Sequence, residues 1–416
     1  MSLTFFQMED WEKRSIFEDW KKGTIPMKKF LALALALVMS LSLAACGSKS
    51  EPEKTPEDTE EDQTVQELTA DQIADSMTSE DGTYEVAFIT DLGALKDQSF
   101  NEGIWNGVKL YAYNHDLSYR YYQPANGNDA TDEDRYNAMA AAAEAGAKVV
   151  LCAGYLQENA LRRAATDYPD TKFVFIDGSV INEEGSDTPL ANVAGIAFQE
   201  EQSGYLAGYA VVKDGFTKLG FAGGGGGTNP ACCRYGYGFV QGANAAAAEL
   251  GVQVEMNYTW QYGEDYAASP ELQELCNGWY QNGTQVIFAC GGAMLQSVAE
   301  AAAANGGYVV GVDTDQSGSS DTVITSAMKD VGLAAEYAIG KVYDNDWSDV
   351  GGLTTTLGAA DDVVGLPTEE GSWRLKTYTV EEYQTKLESV RTGETQVDAD
   401  YSHLQQAYSN LTLNIL

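Results

Sequence analysis

The sequence predicts an α/β protein built of two similar lobes, each a doubly wound parallel sheet, joined by a hinge. Three observations predict it. Short apolar runs of strand length alternate with alanine-rich stretches of helix length, the pattern of parallel βαβ units with helices on both sheet faces. Two parts of the chain echo each other. "AEAGAKVVLCAGYLQENALRRAATDYPDTKFVFIDGS" and "YQNGTQVIFACGGAMLQSVAEAAAANGGYVVGVDTD" each run helix, strand, small-residue turn, helix, strand and then an aspartate. Finally, 416 residues with 44% hydrophobic content exceed one simple core and suit two lobes of ordinary size.

In chain order, residues 1–26 are acidic and aromatic, unlike the start of an export signal, and are expected to be a mis-assigned start upstream of Met27. Residues 27–45 read as a signal peptide: Lys28 and Lys29 precede the apolar run "FLALALALVMSLSLAAC". "LAAC" resembles a bacterial lipobox, which implies cleavage before Cys46 and acylation of its sulfur. Two acyl chains would hold the protein at the outer face of the cell membrane. Residues 46–82, rich in Glu, Asp, Thr and Pro, cannot bury enough surface to fold and read as an acidic disordered tether. Strands are expected at "TYEVAFITD", "KVVLCAGY", "KFVFIDGS", "NVAGIAF", "KLGFAGG", "VQVEMNYTW", "QVIFACGG", "GYVVGVDTD" and "TVITSAM". The expected lobes are 83–197 plus about 314–345, and 198–313 plus about 346–416. Hinge crossings are expected near Ala197–Phe198, near Asp313 and after about Gly340.

Ligands of open parallel sheets sit beyond the carboxyl ends of the strands. Two such lobes face to face form a cleft lined by Asp91, Gly154, Tyr155, Asp177, Gly223 to Gly227 (Gly224 among them), Gly291, Gly292 and Asp313. The loop "TDLGALKDQSFNEGIWNGV" adds Asp97, Ser99, Phe100 and Asn101. Ser99 or Asn101 could cap the following helix, whereas Phe100 in a polar loop offers a stacking face for a planar ring.

Several chemistries are excluded. A formal charge of −37 leaves no cationic surface for nucleic acid. Asp313, Asp315, Ser317, Gly318, Ser319 and Asp321 have the spacing of a calcium loop, yet position twelve is Ile324 rather than a bidentate Glu, and strand rather than helix precedes it. "GFAGGGGGTNP" is neither a clean dinucleotide fingerprint nor a Walker A loop. His115 and His403 stand in polar surroundings without a nucleophile pattern. No catalytic residue, metal or cofactor is expected.

Six stretches in order resemble the basic membrane protein family of bacterial lipoproteins, which includes purine nucleoside-binding components of ABC transporters. They are "KDQSFN", "AGYLQENALRRAATDYPDTKFVFIDG", "FQEEQSGYLAG", "GGTNPACCRYGYGFVQG", "QVIFACGG" and residues 311–329, and the likeness runs from about Tyr84 to Glu336. The resemblance implies a type I periplasmic-binding-protein fold whose lobes close on a nucleoside and deliver it to an ABC permease. It implies that Phe100 and Tyr262 sandwich the base. Asp313 would accept from the ribose hydroxyls with Lys329 beside it, and Asp91 and Asn101 would complete the polar ring. Asn159 stands near the place where the family often carries an acid, a position that would choose among bases. "WQYGEDY" is richer in aromatics than the family pattern, and "ACCRY" departs from it. The alternatives are a sensing lipoprotein for another small polar molecule or sugar and, more remotely, a secreted nucleoside hydrolase, for which "TDLGALKD" lacks the clustered aspartates.

Overall fold

A computed structural model describes residues 68–90 and 92–416. The expected start segment, signal peptide, Cys46, most of the tether and Asp91 lie outside the described residues. Residues 68–73 hold one 3-10 turn, Ala70–Gln72, closed by the Thr69 N–H donating to Gln72 Oε1 at 2.9 Å. Ala74–Leu416 form a compact body.

Its elements in chain order are β1 (Val86–Ile89), α1 (Phe100–Asn114), β2 (Tyr119–Tyr122), α2 (Asp132–Glu144), β3 (Val149–Ala153), α3 (Glu158–Asp167), β4 (Lys172–Ile176) and β5 (Val193–Phe198). They continue with α4 (Glu200–Lys213), β6 (Lys218–Gly223), α5 (Pro230–Leu250), β7 (Val254–Thr259), α6 (Pro270–Gln281), β8 (Val286–Cys290), α7 (Met294–Asn305) and β9 (Tyr308–Asp313). The last are β10 (Val323–Lys329), α8 (Val331–Tyr343), β11 (Thr354–Leu357), β12 (Val364–Gly365), α9 (Val380–Arg391) and β13 (Leu411–Ile415).

The strands form two sheets, ordered β11-β5-β4-β3-β1-β2 and β12-β10-β9-β8-β6-β7-β13. All pairings are parallel except β10 with β12. Each sheet contains the same doubly wound order: β2-β1-β3-β4-β5 is repeated as β7-β6-β8-β9-β10. The internal echo is therefore a repeat of topology, and the strand order reverses beside β1 in one lobe and beside β6 in the other. That reversal opens a crevice at the carboxyl edge of each sheet. The strands read as continuous apolar runs because both faces are covered: β3 and β8 are buried along their whole length.

Two expected boundaries move. β10 pairs with β9 in the second sheet, so the crossing expected near Asp313 falls after Lys329. β11 pairs with β5 in the first sheet, so the return expected after Gly340 falls between Leu357 and Val364. An apolar run shows that a strand exists and does not show which neighbour it pairs with. The tether also ends earlier than residue 82. The Asp75 carboxylate accepts from the buried Lys109 ammonium at 2.8 Å and the Trp105 indole at 3.1 Å, while the Tyr119 hydroxyl donates to the Ala74 carbonyl at 2.7 Å. β2, β11, β12 and β13 were not expected. All are short, and β2 and β11 are half-exposed without a clean alternation.

The hinge-side helices α4 and α5 meet backbone to backbone. Gly204 and Gly208 of α4 face the carbonyls of Tyr235 and Phe239, and Gly238 and Gly242 of α5 face those of Glu201 and Tyr205. A Cβ at any of the four collides with a carbonyl that cannot rotate away. Gly208→Leu is expected to cost about 3 kcal/mol or more by forcing the helices apart. Urea unfolding followed by circular dichroism checks it.

Candidate functional site

The cleft is built from strand ends. The loop after β1 brings Leu92, Asp97, Phe100 and Asn101; β3 and β4 end on Gly154 and Asp177. From the second lobe come Asn229, Cys232 and Tyr235 at the start of α5, Tyr266 after β7, Gly291 and Gly292 after β8, and Asp313 closing β9. Lys329 closes β10 and projects into the same space.

Asp177 and Asp313 occupy twin positions, after β4 in one lobe and ending β9 in the other. Both are left-handed, with φ of 59° and 64°. Few non-glycine residues adopt that region, and here it aims both carboxylates from the strand ends into the cleft. The Lys329 ammonium lies between them. It donates to both Asp177 oxygens at 2.8 and 2.6 Å and to Glu200 Oε1 at 3.2 Å, and it is 3.8 Å from Asp313 Oδ1. The rings of Phe100, Phe198 and Tyr235 surround it with centroids 5.0, 5.2 and 5.7 Å away. Burial alone would lower the lysine's pKa, but the three carboxylates outweigh it and hold the ammonium charged well above its ordinary range. Asp313 accepts from the Ser99 hydroxyl at 2.7 Å and, more loosely, from the Tyr235 hydroxyl at 3.4 Å. Burial pushes Asp313 up despite Lys329, and pushes Asp177 up to about 6. Glu200 is shared: burial opposes its charge, yet Lys329 and Arg234 together hold it below the usual range.

The helix cap is Asp97, not the expected Ser99 or Asn101. Its carboxylate accepts from the backbone N–H groups of Ser99, Asn101 and Glu102 at 2.9, 3.0 and 3.1 Å. This frees the Ser99 hydroxyl to cross to Asp313. Asn101 is buried and donates to the Leu92 carbonyl at 2.9 Å, so it ties the start of α1 to the loop after β1. Phe100 lines the cleft as expected.

Tyr262 and Asn159 do not join the site. Tyr262 is 44% exposed and does not line the cleft. Tyr266, four residues on, lines the cleft instead. Its hydroxyl accepts from Asn229 Nδ2 at 2.7 Å, and its ring lies over Gly224 and Gly291, where any side chain would strike it. Gly224 thus supports the aromatic wall from behind, while Gly291 reaches the cleft itself. Asn159 is exposed and donates to Asp132 at 3.1 Å. Tyr155 stands at the rim, its hydroxyl 3.4 Å from that of Thr228 in the other lobe. The stretch that mimicked a calcium loop holds a guanidinium: Arg374 donates to the carbonyls of Ser317, Ser320 and Val323 at 2.9 to 3.0 Å. Sequence reasoning placed Asp177 among the strand ends but missed Glu200, Tyr235 and Tyr266. Only the aspartate or glycine that follows an apolar run carries a local signal.

Glu201 lies beside this cluster, 2% exposed, with Oε2 lacking a hydrogen-bond partner and Arg234 Nε 4.0 Å away. Burial pushes it up to about 7. A carboxyl whose folded pKa exceeds its unfolded value burdens the fold above the folded pKa, and the burden disappears below the unfolded one. Glu201→Gln is therefore expected to add about 1–3 kcal/mol at pH 8 and nothing at pH 4. Thermal melts across that range check it.

Two lobes of repeated topology around a buried, charged and aromatic-walled cleft define a bilobal solute-binding protein. Residues 84–400 match the model of the Bmp family, described as ABC transporter substrate-binding protein, PnrA-like. The chain belongs to that family, whose described role is to bind a substrate for an ABC transporter. It is 27% identical over 315 residues to the ABC transporter nucleoside-binding protein BmpA of Lactococcus lactis, covering 70% of this chain and 84% of that one. It is 26% identical over 381 residues to the CD4+ T-cell-stimulating antigen of Listeria innocua, covering 86% and 95%. Among solved structures, an ABC transporter solute-binding protein from Aeropyrum pernix superposes with a TM-score of 0.58 at 22% identity, over 77% of this chain and 89% of that one. Another from Conexibacter woesei gives 0.57 at 20% identity, over 76% and 99%. These two share the fold.

Proposed function

We propose that this protein captures a nucleoside, with a purine base, between its lobes and delivers it unaltered to an ABC permease, while a lipid on Cys46 anchors it to the outer face of the cell membrane. The observation that carries this reading is the twin aspartate pair with Lys329 between them, set beside the Phe100 ring. A carboxylate accepts both protons of a vicinal diol, an ammonium donates to the same oxygens, and an adjacent aromatic face takes a planar base. The relative in Lactococcus lactis named for nucleoside binding supports the same class. In this reading Phe100 and Tyr266 flank the base, Asp313 and Lys329 hold the sugar, and Asp91 and Asn101 complete the polar wall.

The ligand bridges both lobes and so stabilises the closed form. About 18 non-hydrogen atoms at about −0.4 kcal/mol each give roughly −7 kcal/mol, near a 10 micromolar dissociation constant. At 1 mM ligand such a site adds about 2.7 kcal/mol of stability. In a thermal-shift screen of nucleosides, free bases and pentoses, purine nucleosides are expected to raise Tm most, and mass spectrometry to recover them intact. A shift with pentoses alone, or recovery of free base, overturns the reading.

A further inference from the structure

Arg234 stands apart from the cleft yet is tied to it. It follows Cys233 and precedes Tyr235 at the start of α5, with its side chain 23% exposed. Its Nε donates to Glu200 Oε2 at 2.6 Å. The other oxygen of Glu200, Oε1, accepts from Lys329 at 3.2 Å. Glu200 is wholly buried, so no water competes for either oxygen. One carboxylate is thus divided between two cations, one oxygen each. The arrangement also spans the hinge. Glu200 opens α4 directly after the first crossing, and Lys329 closes β10 directly before the second. On its far side Lys329 grips Asp177 of the first lobe.

We propose that Arg234 is a positioning residue: by occupying Oε2 of Glu200 it fixes where the Lys329 ammonium sits between Asp177 and Asp313, and so sets how the cleft reads the hydroxyl-bearing part of its ligand. Without the guanidinium, a buried Glu200 turns both oxygens to Lys329. The ammonium then follows toward α4, away from Asp313, which it already approaches only to 3.8 Å. Tyr235, the next residue, donates to Asp313 from the same helical turn, so α5 orients both members of the Asp313–Lys329 pair.

The choice of sugar hydroxyls as the feature read rests on the nucleoside reading; the position of Lys329 does not. Two measurements therefore test the proposal on the full chain. Ligand-free crystal structures of Arg234→Met and Arg234→Lys report the ammonium directly. It is expected to move toward Glu200 in the first and to stay in the second, and an unmoved Lys329 in Arg234→Met overturns the proposal. Calorimetry with adenosine and 3′-deoxyadenosine reports the consequence. Arg234→Met is expected to weaken adenosine about tenfold and to bring the two ligands' affinities together, with Arg234→Lys restoring most of the difference. A merely structural role lowers both affinities in proportion and keeps their ratio, which also overturns it. If the wild-type protein binds neither adenosine, guanosine nor inosine, the nucleoside reading fails while the crystal structures still decide the positioning role. Should Arg234→Met not fold, Glu200→Gln, which removes one of the two anionic oxygens without changing shape, carries the same two measurements.

Discussion

Asp313→Ala is expected to abolish nucleoside-induced stabilisation while leaving a folded protein. This carboxylate has one strong partner, Ser99, and two looser ones, Tyr235 at 3.4 Å and Lys329 at 3.8 Å. It is committed lightly enough to receive a ligand's hydroxyls. Two charge-assisted hydrogen bonds lost together amount to about 3–5 kcal/mol, a fall of roughly two to three and a half orders of magnitude in affinity. The fold survives because Lys329 retains Asp177 and Glu200, its two nearest anions, and because burial already opposes the charge on Asp313. Calorimetry and thermal shift against adenosine, guanosine and inosine check it. Affinity within threefold of the wild type would place the sugar elsewhere.

The readable part of this site was the part that lies on strand ends. An apolar run followed by Asp or Gly announces the edge of a parallel sheet, so Asp177, Gly154, Gly291 and Asp313 could be found one at a time. Lys329 carries no such signal of its own and enters only through the family resemblance of residues 311–329. Glu200 and Arg234 could not be, because each lies in a helix and becomes a partner only once the crossings bring α4, α5 and β10 together. The crossings were themselves misplaced, since β10 and β11 reveal their neighbours only in the folded sheets. Tyr262 and Tyr266 lie four residues apart in one aromatic-rich loop, and both carry a left-handed backbone. Which of them faces inward is decided by the space that Gly224 and Gly291 leave for a ring. Ser99 gave a misleading signal for a similar reason. A serine before a helix reads as a cap until a nearby aspartate takes the backbone N–H groups first.

The largest loss of stability is expected from Lys329→Met. The side chain fits the space, but Asp177, Glu200 and Asp313 then face one another with Arg234, on the far oxygen of Glu200, as the one cation among the described residues left on any of them. Removing one partner of a buried ion pair costs about 3–5 kcal/mol. The pH dependence separates this cause from a simple packing defect. In the wild type the raised lysine pKa contributes stability that is complete below its unfolded value and is lost only as pH rises through the folded one, so between pH 5 and 8 that contribution is constant. In the variant, loss of the cation moves the carboxylates further upward than burial alone has moved Asp177 and Asp313. Such groups burden the fold above their folded pKa and cease to do so once protonated. The gap between wild type and variant is therefore expected to be widest at pH 8 and to narrow toward pH 5, measured by urea unfolding at both. A packing defect gives the same gap at both values. In the proposed reading the test also bears on function, because three acids held around one ammonium keep acceptors and a donor charged in the cleft.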